Sequence, residues 1–279
     1  MATNDYHIYR YDSGLRLVVL SVPSKVAYIG IVVNAGSRDE DDDKHGLAHF
    51  VEHTIFKGTD RRRSYQISSC MESIGGELNA YTSKDETAVY TNAPAGNAQR
   101  AIELLADLVI NSRFPDQELD KEREVVVEEI NSYLDSPEER VFDEFEELIF
   151  AGSDLAHNIL GSPESVRTLR SGDCRSFIDK FYAPGNLTIY AMVPDDPDKI
   201  ARYVERSFGS LQRSMPEFHR TLPAPPAPFA ITRDHGNHQA NTIVGVPLFG
   251  RNDPRRPALF LLNNYFGGPC MNSRLNREL

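Results

Sequence analysis

Short apolar runs near the start of the chain are separated by polar turn residues, a pattern typical of β-strands. Aliphatic residues dominate positions 15–22 and 28–33, and turn-forming residues follow each run, so both are predicted strands. Positions 77–82 and 86–91 repeat the pattern across a short polar gap and predict a hairpin. A further strand is predicted at 186–193.

Elsewhere in the first half of the chain, the apolar positions recur at helical spacing. Helices are predicted at about 44–57 and 65–74, and helical patterns dominate positions 97–150. The clearest helix start in that stretch is Ser136, which is followed by Pro137 and by a glutamate three residues after the cap. Because strands and helices mix without strict alternation, the sequence predicts the α+β class.

A segment with five prolines, 216–229, divides the chain. It is predicted to be an extended linker between a first domain, 1–215, and a shorter segment, 230–279. In the shorter segment, a predicted strand at 241–246 and a predicted helix at 257–266 loosely repeat the order of elements near the start. The chain stops within a helical pattern, so this segment is interpreted as the beginning of a truncated second homologous domain.

Acidic residues outnumber basic ones, 41 to 30, which gives a formal net charge of -11. An excess of negative charge repels phosphate backbones, so nucleic acid is not an expected partner. No apolar run approaches the roughly 20 residues that span a bilayer, and the first residues lack the pattern of a secretory signal. The three cysteines lie far apart and form no C-x-x-C pair. We therefore expect a cytoplasmic protein without a membrane partner.

The strongest chemical signal is the H-x-x-E-H pattern of His49, Glu52 and His53. Two histidines four residues apart on a helix differ by about 40° around its axis, so both imidazoles can reach one metal ion. Glu52 lies on the adjoining flank of the same helix. The alternative is that both histidines lie on a solvent-exposed helix face. A catalytic zinc usually takes three protein ligands and keeps one position for water, so another element has to supply the third ligand.

Candidates for the third ligand lie in a helical stretch at 119–134. Glu122 and Glu129 fall on one border of its apolar stripe, whereas Glu124 and Glu128 point away from it. The two border carboxylates are about 10 Å apart along the axis, so they are not expected to bind the same ion directly. One would be the ligand and the other would orient an imidazole. The helical geometry does not choose between them.

Further motifs accompany these residues along the chain. They are His45 to His53, Gly75 to Thr82, Glu122 to Ile130 followed by Asp135-Ser136-Pro137, and Tyr182, Pro184 and Asn186. Together they resemble the inverzincin peptidases of the pitrilysin, insulin-degrading enzyme and mitochondrial processing peptidase family. The resemblance extends over essentially the whole chain.

The resemblance implies an antiparallel sheet flanked by helices, in a domain that the family carries twice to enclose a chamber. It implies one Zn²⁺ per chain, held by His49, His53 and Glu129, with Glu122 supporting the site. It also implies that an extended peptide binds along the strand at 79–82, where the substrate-binding residues would be Asn79, Ala80 and Tyr81.

These residues predict a zinc-dependent endopeptidase or oligopeptidase, in which Glu52 is the general base toward a metal-activated water. One alternative is a non-catalytic peptide-binding or scaffold subunit of a two-chain processing peptidase, which typically lacks the metal ligands. The other is a structural zinc domain, which the incomplete three-ligand set disfavours. The family places an Arg and a Tyr of its second half near the substrate, beyond the last residue here. We therefore expect this chain to bind zinc but to cut poorly until the missing C-terminal half or a second chain closes the chamber.

Overall fold

The structure is a computed structural model that describes residues 6–236 and 238–278. It divides the chain into two units, Met1–Asn241 and Thr242–Leu279. The boundary lies beyond the proline-rich segment, which is part of the first unit and contains no helix or strand. The predicted domain limits 1–215, 216–229 and 230–279 stay predictions.

A six-stranded sheet forms the centre of the first unit, with the strand order β1-β2-β6-β3-β5-β4. The strands are β1 (Tyr6–Arg10), β2 (Arg16–Ser21), β3 (Val26–Val33), β4 (Glu77–Thr82), β5 (Thr87–Pro94) and β6 (Leu187–Val193). Four of the five pairings are antiparallel, whereas β2 and β6 run parallel. The α+β class is therefore confirmed, with a mixed sheet in place of a purely antiparallel one.

The predicted strands coincide with β2 to β6 to within a few residues, and β1 adds an edge strand that the sequence did not single out. Alternate residues of β3 are buried from Ala27 to Val33, as expected for a strand with one face against a helical layer. The helices Ala98–Asn111 and Pro197–Phe208 pack on this sheet, against β3 and β2 respectively. The hairpin strand β4 lies at the other edge, where one side of its backbone has no neighbour among the described strands.

Eight α-helices accompany the sheet in the described part of the first unit. They are α1 (Leu47–Thr54), α2 (Ser64–Glu72), α3 (Ala98–Asn111), α4 (Asp116–Asp135), α5 (Pro137–Ile149), α6 (Pro163–Thr168), α7 (Ser171–Phe181) and α8 (Pro197–Phe208). Helix α5 begins as predicted, because the Ser136 side chain accepts a hydrogen bond from the backbone N–H of Glu139. Helix α1 is shorter than the predicted 44–57, because Gly46 adopts φ 91°, outside the right-handed helical region.

Helix α1 is anchored on several sides, by α4, α7 and β4. Its apolar residues Phe50 and Val51 are fully buried, and Leu47 is nearly so. Burying a phenylalanine side chain contributes about 1.5–3 kcal/mol, so this packing holds the helix firmly against its neighbours. An eight-residue helix is unstable alone, and its position is therefore set by these contacts.

The second unit contains helices α9 (Arg256–Gly267) and α10 (Arg274–Glu278) among its described residues. Helix α9 confirms the element predicted at 257–266. The strand predicted at 241–246 is wrong, because these residues have no regular secondary structure. A strand needs a partner for its backbone hydrogen bonds, and the described residues of this unit include no other strand.

All three cysteines are free, with Cys174 buried, Cys70 half-buried and Cys270 exposed. Among the residues that the structure describes, no helix combines the length and the apolar character needed to cross a bilayer.

Candidate metal centre

Helix α1 presents His49 and His53 on one side, with the centroids of their rings 4.6 Å apart. His49 is buried, with 7% of its surface exposed, and His53 is half-buried. The two histidines therefore do not lie on a solvent-exposed face, which was the alternative left open by the sequence. Burial and the neighbouring His53 lower the pKa of His49 to about 3, so this imidazole is neutral near pH 7 and can act as a ligand.

Helix α4 brings Glu129 against the same two rings. Its Oε2 atom lies 3.8 Å from Nε2 of His49 and 3.3 Å from Nε2 of His53. One ligand atom from each of the three residues lies within 4.8 Å of the others. The ligand atoms of a tetrahedral zinc site lie about 3.3 Å apart, so this spacing fits one ion after small side-chain adjustments. Two imidazole nitrogens and a carboxylate oxygen are also a donor set that zinc accepts.

Glu122 lies on the far side of the His53 ring. Its Oε2 atom is 3.3 Å from Nδ1 of His53, and its Oε1 atom is 2.7 Å from the Lys57 ammonium. A proton held on Nδ1 leaves the Nε2 lone pair directed toward Glu129 and available to a cation. The placement of the two carboxylates therefore differs, because Glu129 lies at the Nε2 atoms and Glu122 lies behind the ring.

The carboxylates also set the protonation of this cluster. Burial alone would lower the pKa of His53, but the hydrogen bond to Glu122 and the charges of Glu129 and Glu52 raise it above its ordinary value. Burial alone would raise the pKa of Glu122, and its hydrogen bonds with His53 and Lys57 outweigh that effect and lower it. The neighbouring carboxylates thus favour positive charge at His53.

Glu52 lines the same cleft as His49 and Glu129. Burial raises the pKa of its carboxyl group, and the nearby charge of Glu129 acts in the same direction, against the opposing effects of Thr82 and His53. A carboxylate with a raised pKa next to a metal-binding cluster can accept a proton from bound water and release it later.

Strand β4 forms one side of the cleft. Ala80 and Tyr81 line it, whereas Asn79 lies on the same strand without lining the cleft. The Tyr81 hydroxyl donates a hydrogen bond to Oε1 of Glu86 at 2.8 Å, which fixes the ring at the rim. Since β4 is an edge strand, its outer backbone groups are available to a further strand.

Four residues of the segment 154–160, named here the wall segment, between α5 and α6, also line the cleft. Lys84, at the tip of the β4–β5 hairpin, donates to the carbonyl oxygens of Leu155 at 2.6 Å and His157 at 3.1 Å. The wall segment is followed by Gly161, where a Cβ atom would lie 2.4 Å from the carbonyl oxygen of His45. The cleft is therefore built from two chain segments that are held in place by contacts outside the metal cluster.

Two buried or half-buried charges near the site were not found from the sequence. Glu40 belongs to an acidic run, 39–43, a pattern typical of a solvated turn. In the structure its side chain is fully buried, and that burial raises the pKa of its carboxyl group. Lys84 pairs with Glu146 of α5 at 2.9 Å. Both residues make contacts with distant parts of the chain, and no local periodicity signals such contacts.

Comparison with known proteins gives a consistent result. The model of the insulinase family, peptidase family M16, matches residues 16–163, and that of the M16 inactive domain matches residues 168–279. The zinc protease YmxG of Bacillus subtilis, described as uncharacterized, is 31% identical over 279 residues, which cover 97% of this chain and 66% of that protein. A probable mitochondrial-processing peptidase subunit beta of Arabidopsis thaliana is 33% identical over 260 residues, covering 91% of this chain and 49% of that protein.

Solved structures share the fold. A protease from Helicobacter pylori superposes with a TM-score of 0.73 at 23% identity, covering 79% of this chain and 54% of that chain. An M16 inactive domain from Pseudomonas fluorescens gives a TM-score of 0.85 at 17% identity, covering 98% of this chain and 67% of that chain. The chain spans about half to two thirds of the length of the curated relatives described above.

Proposed function

The chain belongs to the insulinase family of peptidases, family M16, and on that premise we propose that it is the metal-binding part of a zinc-dependent endopeptidase or oligopeptidase. The observation that carries the proposal is the convergence of His49, His53 and Glu129, which come from two separate helices. Relatives described as zinc proteases support the metal and the peptidase class. The complete donor set favours the enzyme over a non-catalytic scaffold subunit.

In this proposal His49, His53 and Glu129 hold one Zn²⁺, and Glu122 keeps Nδ1 of His53 protonated. The ion would lower the pKa of a bound water to about 7 and polarise the scissile carbonyl group. The Glu52 carboxylate would accept a proton from the attacking water and would then deliver it to the leaving amine nitrogen. The raised pKa of Glu52 suits both halves of this transfer.

The substrate is proposed to be an extended peptide that pairs with the free edge of β4. Ala80 and Tyr81 would lie along it, and Asn79, the preceding residue of the strand, would contact it as well. Because the relatives are longer, we propose that a further homologous half or a second chain covers the cleft during catalysis. A cytoplasmic location and the absence of nucleic-acid and membrane partners stay predictions.

Two measurements test the function, on this chain and on a version extended to the length of its relatives. Elemental analysis should find about one zinc per wild-type chain and little zinc in Glu129→Ala. The matched control is Glu128→Ala, which removes the same charge from the exposed neighbouring position and should keep its zinc. In the extended protein, Glu52→Gln should keep zinc and lose peptide hydrolysis. Full zinc occupancy in Glu129→Ala, or normal hydrolysis by Glu52→Gln, would contradict the proposal.

A further inference from the structure

The metal-binding helix lacks a capping side chain at its own N-terminus. Its cap position is Gly46, which has no side chain to accept a hydrogen bond from the first turn. The carboxylate of Glu40 does so from six residues upstream. Its Oε2 atom accepts from the backbone N–H of Gly46 at 2.9 Å, and its Oε1 atom accepts from that of Ala48 at 2.7 Å. Ala48 immediately precedes the ligand His49, so this cap lies within one residue of the metal cluster.

The carboxylate of Glu40 is fully buried, which is costly for a charge unless hydrogen bonds satisfy it. Besides the two backbone donors, Nε2 of His157 lies 3.3 Å from its Oε2 atom. The ring of His157 is fixed in turn, because its Nε2 is 2.9 Å from the carbonyl oxygen of Ser37 and it stacks on His45 with centroids 4.0 Å apart. The position of Glu40 is therefore determined from three directions.

The turn that contains Glu40 is also held from its outer side. The neighbouring Asp39 forms a two-point ion pair with Arg220, at 2.8 Å and 2.6 Å. The preceding Arg38 holds Asp154 of the wall segment in the same way, at 3.1 Å for each contact. Because these ion pairs hold the turn in place, the carboxylate of Glu40 can fix the start of α1.

We propose that Glu40 is a positioning residue for the metal centre, which fixes the first turn of α1 and thereby the approach of both imidazoles to Glu129. The inference rests on the proposed zinc site. Its physical basis is that α1 is eight residues long, so its orientation depends on its few end and side contacts. A negative charge at the start of a helix also interacts favourably with the helix dipole. A shift of about 1 Å in either ring would separate nitrogen atoms that now lie within reach of one ion.

A merely structural role for Glu40 would affect stability without affecting the metal. Asp107 of α3 provides a matched comparison, because its side chain is also fully buried and accepts several hydrogen bonds. Its donors are Thr59 at 2.8 Å, Asn111 at 2.8 Å and Arg62 at 2.5 Å, none of which belongs to α1. Replacing either carboxylate by its amide therefore removes a buried charge, but only one of the two caps the metal-binding helix.

The experiment compares wild type, Glu40→Gln and Asp107→Asn in the full 279-residue chain. Zinc affinity is measured by chelator competition, the Co²⁺-loaded proteins are examined by visible absorption, and Tm is measured without metal. We expect Glu40→Gln to bind zinc roughly tenfold or more weakly and to alter the Co²⁺ spectrum, because its amide N–H₂ cannot accept from a backbone N–H. Asp107→Asn should lower Tm and keep the wild-type zinc affinity and spectrum.

Glu40→Asp is the second variant, since it keeps the charge but shortens the reach, and it should fall between wild type and Glu40→Gln in zinc affinity. Wild-type affinity and an unchanged Co²⁺ spectrum in Glu40→Gln would overturn the inference while leaving the zinc site intact. An equal loss of affinity in Glu40→Gln and Asp107→Asn would also overturn it, because general destabilisation would then explain both. Failure of the wild-type chain to bind zinc would instead remove the proposed function itself.

Discussion

Glu122 and Glu129 lie seven residues apart on one helix but contact opposite sides of the same ring, so truncating each should weaken zinc binding by a different amount. Glu122→Ala removes the partner of His53 Nδ1, now 3.3 Å away. Loss of such a partner typically costs about 10–100-fold in metal affinity, or about 1.4–2.7 kcal/mol. The imidazole would stay a ligand, but its orientation and tautomer would no longer be fixed.

In the proposed site, Glu129→Ala removes one of the three side chains that would hold the ion. If three donors share a binding free energy of about 10 kcal/mol, losing one costs about 3 kcal/mol, which is more than a hundredfold in affinity. We therefore expect zinc affinity to fall in the order wild type, Glu122→Ala, Glu129→Ala. The exposed Glu124→Ala, on the same helix, is the control for a lost negative charge and should bind zinc like wild type.

Lys57 should also affect zinc affinity once Glu122 is removed. Its ammonium lies 2.7 Å from Oε1 of Glu122, and in Glu122→Ala it would remain near the site without a counter-charge. Repulsion of the metal ion should then add to the loss, so the double variant Glu122→Ala with Lys57→Met should bind zinc more tightly than Glu122→Ala alone. Chelator competition at pH 7 and fixed salt measures all of these affinities. If Glu122→Ala lost zinc as completely as Glu129→Ala, or more so, the assignment of the two carboxylates would be refuted.

Four further predictions concern packing, thiol reactivity, stability at alkaline pH and turnover. Phe50→Ala should lower the free energy of unfolding, measured by urea titration, by about 3–5 kcal/mol, because Phe50 is fully buried between α1 and its neighbours. A loss below about 1 kcal/mol would contradict that packing. Burial raises the pKa of the Cys174 thiol from 9.0 to about 12. At pH 8 a thiol reagent should therefore modify Cys174 only after denaturation, whereas the exposed Cys270 should react in the native protein. Rapid reaction of all three cysteines in the native protein would show that Cys174 is not buried. Since that pKa is higher in the folded state, its contribution to stability is complete below pH 9 and is lost as pH rises toward 12, so Cys174→Ala should show a shallower alkaline fall in Tm than wild type. Finally, the 279-residue chain should hydrolyse peptides much more slowly than a version extended to the length of its relatives, and equal kcat/KM values for the two would contradict a cleft that needs further covering.

Features with a local signal could be predicted from the sequence. The cap at Ser136 and the strand patterns around β2, β3 and β6 depend on neighbouring residues alone, and the structure contains them. The pair His49 and His53 is likewise fixed by helical spacing. Helical geometry also selected Glu122 and Glu129 together, because residues seven apart share a face.

Features that depend on distant contacts could not be predicted from the residues alone. Which of the two glutamates meets the Nε2 atoms depends on how α4 packs against α1, and the local pattern does not contain that information. The burial of Glu40 depends on its contacts with Gly46 and with His157, which lies far along the chain from it. The predicted strand at 241–246 has the right composition, but a strand forms only where a partner is present.

The position of β6 between β2 and β3 has a consequence for how this protein can be divided and how it is made. Residues 187–193 fill the middle of a sheet whose other strands all lie before residue 95, so a polypeptide ending soon after the wall segment would leave two inner strands with open sides. Open strand edges of this kind promote pairing between molecules, so a shortened chain that contains His49, His53 and Glu129 is expected to aggregate. During synthesis, β1 to β5 are complete roughly ninety residues before β6 begins, so the sheet can form fully only after β6 has been made.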